Sequence, residues 1–355
     1  MSVTPGVMSR YSAAAKTPQA DLCCPIDYDQ RLLKLLPQEI IEKDYGCGDP
    51  SRYVREGDVV LDLGSGGGKI CYMAAQIVGS TGKVIGIDMN DDMLGLARKY
   101  QAEMARKLGG DRVRFVKGYI QDLALDLEAA EANQAQQKIS QPLIADASVD
   151  LVISNCVLNL VGEADRSQMI REIARVLKPA GRVAISDIVS DEAVPQELKQ
   201  DKDLWSGCIA GAFQEQEFLK AFVDAGFLAV GFDKWDAKPW RVVNGIEFRS
   251  VTLTATKGVG SSCFDYGHAV IYRGPFSSVT DDEGHVFPRG ERMAVCERTY
   301  RFLMRGPLKN DFIGITPAVL RDPPSPWCTP AGARRTPTET KAGSYNTECC
   351  GGGCC

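Results

Sequence analysis

The stretch VVLDLGSGGGKICYMAAQIV (residues 59–78) restricts the fold of this chain more than any other part of the sequence. It begins with residues typical of a buried strand, continues as a glycine-rich turn, and ends in an apolar segment of helical character. Gly64, Gly66 and Gly68 allow the backbone to turn tightly and to approach a bound molecule closely. The N-terminus of the following helix adds exposed N–H donors. The stretch therefore predicts a strand, a ligand-binding turn and a helix in succession.

Two acidic residues indicate what this turn binds. Asp88 ends the next predicted strand in GIDM, where a carboxylate can accept hydrogen bonds from both hydroxyls of a ribose. A dinucleotide and S-adenosylmethionine both fit these features. Asp62, in LDLGSG, favours S-adenosylmethionine, because that molecule has no pyrophosphate for the acid to repel. GYIQD, after the third strand, would then flank the adenine. The candidate cofactor-binding residues are Asp62, Gly64, Ser65, Gly66, Asp88, Met89, Tyr119, Ile120 and Asn155.

Strands and helices alternate along the middle of the chain. The predicted strands are DVVLDL, GKVIGIDMN, RVRFVKGYI, SVDLVISNCV and RVAISDIV. An amphipathic helix is predicted over residues 92–108, a polar helix or insertion over 124–145, and a helix over SQMIREIARVLKPAG. This alternation predicts an α/β fold with a doubly wound, mostly parallel, Rossmann-like sheet. An N-terminal helical segment and a small C-terminal α+β appendage are expected to flank it.

The two ends of the chain differ in composition from this middle part. Residues 1–22 are expected to be loosely ordered, and residues 28–45 suggest two short helices broken near Pro37. Two strand-like pieces, HAVIYRG and ERMAVCERTYRFLMR, precede a tail too rich in Pro, Gly and Thr to order itself. The predicted parts are an N-terminal segment with a cysteine pair and helices (1–50), a cofactor-binding domain (51–190), substrate-site helices and final strands (191–257), a β-rich appendage (258–320) and a disordered Cys-rich tail (321–355).

Charge and apolar content exclude several kinds of partner. The net charge of −5 provides no basic footprint for nucleic acid. No apolar run approaches the length of a membrane span, and the first twenty residues lack the apolar core of a signal peptide. We therefore expect a cytoplasmic protein with no nucleic-acid or membrane partner, and we expect it to be a monomer.

Cysteine is unusually frequent for that location. The chain has 13 cysteines but only two histidines, so a His-rich metal site or a Ser-His triad is hard to build. In SNCVLNL, Cys156 stands where the fourth strand opens into the cofactor cleft. Two interpretations stay open on the residues alone: Cys156 packs as a small buried side chain, or its sulfur holds a substrate. Asp122 and Asp187 are equally open, as cleft residues or as strand-end caps.

Six motifs, in order along the chain, carry a closer resemblance. DYGCG, LDLGSGGGKICY, GIDM, GYI, SNCVLNL and LWSGCIAGA resemble the arsenite methyltransferase family over about residues 23–257. VLKPAG before a strand also matches class I methyltransferases in general. The resemblance implies an S-adenosylmethionine-dependent enzyme of arsenic detoxification. Arsenite and then methylarsenite, as thiol conjugates, are its implied substrates, and no structural metal is expected.

The resemblance also implies roles for individual cysteines. Cys156 and Cys208 match the pair that holds trivalent arsenic in that family, and Cys47 matches a third, redox-active cysteine. Cys23 or Cys24 is the counterpart of a fourth. All five are candidate catalytic residues, and the first three are the implied ligands of the arsenic substrate.

The chemistry agrees with these residue types. Trivalent arsenic is soft, and thiolates select soft ions. Its lone pair can attack a sulfonium methyl group without a general base. The oxidised product then needs two electrons, which a cysteine pair supplies by forming a disulfide that a thioredoxin- or glutathione-type reductant resets. Two alternatives remain: a methyltransferase of an organic small molecule, and a non-catalytic metalloid-binding thiol protein.

The remaining cysteines have other expected roles. Cys71, on the apolar side of a predicted helix, is expected in the core, and Cys263, Cys296 and Cys328 belong to no motif. The tail CCGGGCC either captures metalloid or is solvated and easily oxidised. The chain also departs from the family at Ile246, where many relatives have a cysteine.

Overall fold

A mostly parallel sheet organises the first of the two units into which the chain divides, Met1–Lys257 and Gly258–Cys355. The computed structural model describes residues 4–19, 26–43, 45–132, 141–260, 263–305, 307–326 and 333–340. The strands of the first unit are β1 Val59–Leu63, β2 Lys83–Asp88, β3 Val113–Lys117, β4 Val149–Asn155, β5 Leu177–Ser190, β6 Phe213–Gln214, β7 Phe227–Trp235, β8 Arg241–Val243 and β9 Ile246–Lys257.

The strand order reverses in the middle of the sheet. It is β3-β2-β1-β4-β5-β9-β7, with β6 paired to β5 and β8 to β9. Strands β1 to β5 run parallel, and β9 is antiparallel to both β5 and β7. The predicted doubly wound α/β fold is confirmed. Because the order reverses between β1 and β4, the carboxyl ends of these strands border a crevice, which is where such sheets bind ligands.

Helices cover both faces of this sheet. They are α1 Thr4–Lys16, α2 Gln30–Leu33, α3 Gln38–Glu42, α4 Lys69–Ile77, α5 Asp91–Lys99, α6 Gln101–Leu108, α7 Leu127–Ala132, α8 Glu163–Val176, α9 Gln196–Lys199, α10 Lys202–Ser206 and α11 Glu215–Asp224. Along β4, Val152 joins the apolar cluster with α8 and α11, whereas Leu151 and Ile153 join the cluster with α4 and α5. This alternation buries both faces of the strand.

The N-terminal helix corrects one expectation. Residues 4–16 form α1 and are not loosely ordered, so that prediction is wrong for this segment. The helix buries Val7 and Ala14 against residues that are far away in the sequence. Its own stretch, TPGVMSRYSAAAK, contains few large apolar residues. The short-range pattern therefore gave no sign of a packed helix.

Three further expectations concern helices of this unit. The two short helices on either side of Pro37 are confirmed as α2 and α3. The single helix predicted over residues 92–108 is wrong, because it is interrupted at Tyr100, which ends α5 and precedes α6. The hydroxyl of Tyr100 donates to Oε2 of Glu39 on α3, which holds the interruption in place. Residues 133–140 of the predicted polar insertion lie outside the described residues. Among the helices of the described residues, none has the length and apolar content of a membrane span.

The second unit combines short strands with a helix. Its strands and helices are β10 Phe264–Asp265, β11 Ala269–Tyr272, β12 Ser278–Thr280, β13 Val286–Pro288, β14 Arg292–Ala294, β15 Phe312–Ile315, β16 Ser325–Pro326, α12 Glu297–Arg305 and α13 Pro337–Thr340. ERMAVCERTYRFLMR is a strand only at β14 and continues as α12, so the prediction is wrong for its second half. Tyr300, Leu303 and Met304 recur at helical spacing and pack against Val270 and Phe312.

Part of the predicted disordered tail is ordered. Strand β16 and helix α13 lie within residues 321–355, so the prediction is wrong for these segments. The guanidinium of Arg335 forms a buried ion pair with Asp265 at 2.8 Å, an anchor that composition does not reveal. Residues 341–355, including the terminal cysteines, lie outside the described residues.

Candidate active site

The glycine turn lies at the carboxyl end of β1, at the crevice. The Gly64 N–H donates to the carbonyl of Ile87 at 2.8 Å. Gly64 has a φ of +68°, and a Cβ here would lie 2.5 Å from Val157 Cγ1. The Gly66 N–H donates to Asp88 Oδ2 at 2.9 Å. Backbone conformation and close packing both require glycine at position 64, and the turn joins the ends of β1 and β2.

A cavity of about 1350 Å³ opens beside the turn. The predicted cofactor residues that line it are Gly64, Gly66, Asp88, Met89, Ile120 and Asn155. Asp88 is also held from its other side, because the Asn90 N–H donates to Oδ1 at 2.8 Å. Pockets for one small molecule usually measure about 300–1,000 Å³, so this cavity has room for a cofactor and a second reactant.

The other three predicted cofactor residues do not line this cavity. Asp62 is buried, and its Oδ2 accepts a hydrogen bond from Cys71 Sγ at 3.2 Å. Ser65 is buried within the turn, and Tyr119 is half-buried and forms a β-bridge with Asp122. Their assignment to the cofactor site stays a prediction. The expected core position of Cys71 is confirmed.

Three cysteine side chains from distant parts of the chain meet beside the cavity. Cys47, Cys156 and Cys208 belong to one apolar cluster, and Cys156 also lines the cavity. The sulfur atoms of Cys47 and Cys156 and a carboxylate oxygen of Asp187 all lie within 4.8 Å of one another. Cys208 Sγ donates to the Cys156 carbonyl at 3.3 Å. The fold therefore brings together three of the thiols that the sequence singled out.

The backbone is strained at two of these cysteines. Cys156 has a φ of +63° and Cys208 a φ of +61°, in the left-handed region that side chains other than glycine rarely adopt. Each such residue costs about 1–3 kcal/mol and persists only where the surrounding structure holds it. The Cys156 N–H donates to the Ser186 carbonyl at 2.8 Å, and the Cys208 N–H to the Trp205 carbonyl at 3.0 Å. Strain of this kind is typical of functional sites.

Asn155 fixes the segment that carries Cys47. Its Oδ1 accepts from the N–H groups of Cys47 and Gly48 at 2.9 and 3.1 Å, and its Nδ2 donates to the Gly48 carbonyl at 2.9 Å. A Cβ at Gly46 would lie 2.2 Å from Asn155 Nδ2, and one at Gly48 would lie 2.3 Å from Ser186 Oγ. The close approach explains both glycines of DYGCG. Asn155 therefore borders the cavity and also positions the third thiol.

Hydrogen bonding and burial keep two of these thiols neutral. The hydrogen bond with Cys156, followed by burial, raises the pKa of the Cys208 thiol well above its usual range. The hydrogen bond with Cys208 lowers the pKa of the Cys156 thiol, but the hydrogen bond with Cys47 and burial outweigh it. The pKa of Cys156 is therefore also well above its usual range, and both side chains carry their hydrogen at neutral pH.

Asp187 is a site residue that the sequence left undecided. It lies within β5, fully buried, where Oδ2 accepts from the Leu158 N–H at 3.0 Å and Oδ1 from Asn159 Nδ2 at 2.7 Å. Burial raises the pKa of Asp187 to about 6, against the lowering effect of the backbone donors. The carboxylate therefore holds the turn that follows Cys156. The acid in AISD was visible in the sequence, but its burial and its partners were not.

Helix α1 supplies cavity residues that the sequence analysis missed. Val7, Met8 and Tyr11 line the cavity together with Tyr45. The rings of Tyr11 and Tyr45 meet edge to face with centroids 6.4 Å apart. No sequence motif marks these residues. They could have been predicted only if residues 1–22 had been expected to form a helix.

The remaining cysteines fall into two groups. Cys263 and Cys296 belong to the second unit, where Cys296 is buried beside Thr299. The cysteines outside the described residues are Cys23, Cys24, Cys328, Cys349, Cys350, Cys354 and Cys355.

The chain is similar to known methyltransferases in sequence. Residues 55–226 match the family model described as a methyltransferase domain, and residues 260–345 match a domain of unknown function. The arsenite methyltransferase of Aquipseudomonas alcaligenes is 34% identical over 284 residues, which cover 77% of each chain. The arsenite methyltransferase of Homo sapiens is 30% identical over 347 residues, which cover 91% of this chain and 86% of the relative.

A solved structure shares the fold. The arsenic(III) S-adenosylmethionine methyltransferase from Chlamydomonas reinhardtii matches with a TM-score of 0.56 at 30% identity, over 84% of this chain and 99% of that one. The resemblance inferred from the six motifs is thereby confirmed. The sheet, the thiols at its carboxyl edge and these relatives agree, and the chain belongs to the arsenite methyltransferase family.

Proposed function

We propose that this protein transfers methyl groups from S-adenosylmethionine to trivalent arsenic, first in arsenite and then in methylarsenite. The observation that carries the proposal is the meeting of three cysteine side chains beside the cavity that the glycine turn borders. Two of them adopt left-handed backbone conformations, which residues other than glycine rarely do.

The residues around the turn fit the methyl donor. Gly64 and Gly66 line the cavity with backbone, and the Asp88 carboxylate borders the cavity where a ribose would offer its hydroxyls. Met89 and Ile120 provide apolar surface for an adenine ring. When bound there, S-adenosylmethionine supplies a methyl group on a positively charged sulfur.

The thiols hold the acceptor. Each thiol of Cys47, Cys156 and Cys208 forms an As–S bond, and its hydrogen leaves with an arsenic-bound hydroxyl as water. The neutral thiols of Cys156 and Cys208 suit this exchange, because no charge is created in the apolar cluster. The arsenic lone pair then forms the As–C bond while the methyl–sulfur bond breaks, and arsenic is oxidised by two electrons. The protein contributes position, which can remove several kcal/mol from a barrier.

The oxidised arsenic must be reduced before another methyl group is added. We propose that the thiol of Cys23 or Cys24 attacks the arsenic-bound sulfur of Cys47. The As–S bond breaks and leaves its electron pair on arsenic, which returns to the trivalent state, while one proton is released and a disulfide to Cys47 forms. A thioredoxin- or glutathione-type reductant then reopens it. This cycle needs a reducing compartment, for which we propose the cytoplasm. One chain supplies the thiols and the cavity, which supports a monomer, and glutathione-type conjugates are the proposed form of the incoming arsenic.

The test follows the methyl group. Purified protein is incubated with methyl-labelled S-adenosylmethionine, glutathione and arsenite, and the arsenic products are separated. We expect labelled methylarsenic species, and donor consumption that depends on arsenite. Donor consumption without arsenite would favour an organic acceptor, and arsenic binding without methyl transfer would indicate a thiol-binding protein. Cys263→Ser, which removes a half-buried thiol of the second unit, is the control variant and should keep full activity.

A further inference from the structure

A buried carboxylate lies against the thiols. Asp187 is 1% exposed, and one of its oxygens and the sulfur atoms of Cys47 and Cys156 all lie within 4.8 Å of one another. Among the described residues, Cys156 lines the cavity and Asp187 does not, so the carboxylate is set back from the space that the donor would fill. An arsenic atom bonded to these two sulfur atoms would therefore lie close to a carboxylate.

The hydrogen bonds to Asp187 preserve its negative charge. Oδ2 accepts from the N–H groups of Leu158 and Asn159 at 3.0 and 3.4 Å. Oδ1 accepts from Asn159 Nδ2 at 2.7 Å and from the Ile188 N–H at 2.8 Å. Four donors to one carboxylate favour its ionised form. All four are uncharged groups, whereas a buried charge usually has a charged partner or binds a cation.

Methyl transfer creates a positive charge beside this carboxylate. Trivalent arsenic held by sulfur atoms is neutral and carries a lone pair. As the lone pair forms the As–C bond, the methyl–sulfur bond breaks and its electron pair stays on the donor sulfur. The donor sulfur becomes neutral, and arsenic becomes a four-coordinate cation. A fixed negative charge in a buried site stabilises such a developing cation more strongly than water does.

We propose that Asp187 stabilises the positive charge that arsenic acquires during methyl transfer. This inference rests on the proposed function. The carboxylate is ready before the reaction, because the turn after β4 holds both of its oxygens. Binding of trivalent arsenic creates no charge, so Asp187 speeds the transfer step and contributes little to arsenic affinity.

The experiment separates the charge of Asp187 from its shape. Asp187→Asn keeps the shape and removes the charge, whereas Asp187→Glu keeps the charge and changes the shape. Each protein is loaded with monomethylarsenite and mixed with S-adenosylmethionine, and the rate of a single methyl transfer is measured. We expect Asp187→Asn to be about 10-fold to 100-fold slower than the unmutated protein, and slower than Asp187→Glu. The Kd values of Asp187→Asn for monomethylarsenite and for S-adenosylmethionine should stay nearly unchanged.

Asp58→Asn is the matched control, because it also converts a buried carboxylate to an amide. Asp58 directly precedes β1, at the end of this strand opposite the glycine turn, and pairs with Arg182 at 2.5 Å. This variant should transfer the methyl group at the unmutated rate. If Asp187→Asn does not fold, Asp187→Ser removes the same charge in a smaller side chain and carries the same expectation.

The order of the two rates decides between charge and shape. If Asp187→Asn transfers the methyl group as fast as the unmutated protein, or at least as fast as Asp187→Glu, the inference is wrong. If Asp187→Asn weakens monomethylarsenite binding and leaves the transfer rate unchanged, Asp187 only holds the turn after β4, and the inference is again wrong. Failure of the unmutated protein to methylate arsenic would instead overturn the proposed function.

Discussion

The site has two parts that are built in different ways. We call the glycine turn with Asp88 the donor side and the cysteine cluster the thiol side. The donor side comes from one β-turn-α-β segment, in which backbone N–H groups and Asp88 hold one another. The thiol side brings together Cys47, Cys156 and Cys208 from separate parts of the chain, two of them in strained conformations. The donor side therefore depends on a backbone shape, and the thiol side depends on individual sulfur atoms.

The largest effect should come from the thiol side. Cys156→Ser and Cys208→Ser should each slow methylation of both arsenite and monomethylarsenite by more than about 100-fold, because the acceptor loses its position. Binding of S-adenosylmethionine, measured by calorimetry, should stay unchanged. Full activity of Cys156→Ser would show that this cysteine only packs as a buried side chain and does not hold arsenic.

On the donor side, the single side chain that should matter most is Asp88. Asp88→Ala removes a charged acceptor for the ribose hydroxyls and should weaken donor binding by about 1.5–3 kcal/mol. Arsenic binding should not change, since Asp88 is held on the donor side by the N–H groups of Gly66 and Asn90. Calorimetric titration with S-adenosylmethionine measures the loss, and an unchanged affinity in the folded variant would remove Asp88 from the donor site.

A glycine pair tests how far the donor side depends on backbone shape. Gly64→Ala meets both a φ of +68° and Val157 at 2.5 Å, so it should lower the free energy of unfolding by about 1–3 kcal/mol. Gly95→Ala is the matched control, on the exposed face of α5 with no atom within 4 Å of the new Cβ. It should raise stability by about 0.5–1 kcal/mol. Urea unfolding measures the free energy of unfolding of both variants. Equal effects of the two substitutions would contradict the requirement for glycine at position 64.

The smallest effect should come from the chain end. Deletion of residues 341–355 should leave methylation of excess arsenite unchanged, because this segment is too polar to complete a core. The cut preserves Arg335, which pairs with the buried Asp265. Loss of activity at excess arsenite would show the idea to be wrong, and loss at scarce arsenite alone would support capture of arsenic by the terminal cysteines.

The sequence predicted the donor side better than the thiol side, for a physical reason. The turn from Gly64 to Gly68 and the acid Asp88 belong to one continuous pattern, so their proximity follows from the βα unit itself. The meeting of Cys47, Cys156 and Cys208 depends on long-range packing. It was predicted through the resemblance, and no local pattern contains it.

Three features could not be predicted from the sequence, because they depend on contacts with residues that are far away in the chain. Helix α1 has few large apolar side chains and is fixed by partners such as Tyr45 and Ser206. The role of Asp187 depends on complete burial beside the turn after β4. In the second unit, the sequence pattern predicts a strand where α12 lies, since the apolar residues show a helical spacing only once the start at Glu297 is known.

The most direct test counts the sulfur atoms bound to arsenic. Arsenic K-edge absorption spectra are recorded on the protein loaded with one equivalent of arsenite or monomethylarsenite, with a phosphine as the sole reductant so that no external thiol contributes. We predict three As–S bonds with arsenite, reduced to two by Cys47→Ser, and two As–S bonds with monomethylarsenite in both proteins. Oxygen-coordinated arsenic in the unmutated protein, or a sulfur count that neither Cys47→Ser nor Cys156→Ser changes, would contradict the claim that these thiols hold the substrate.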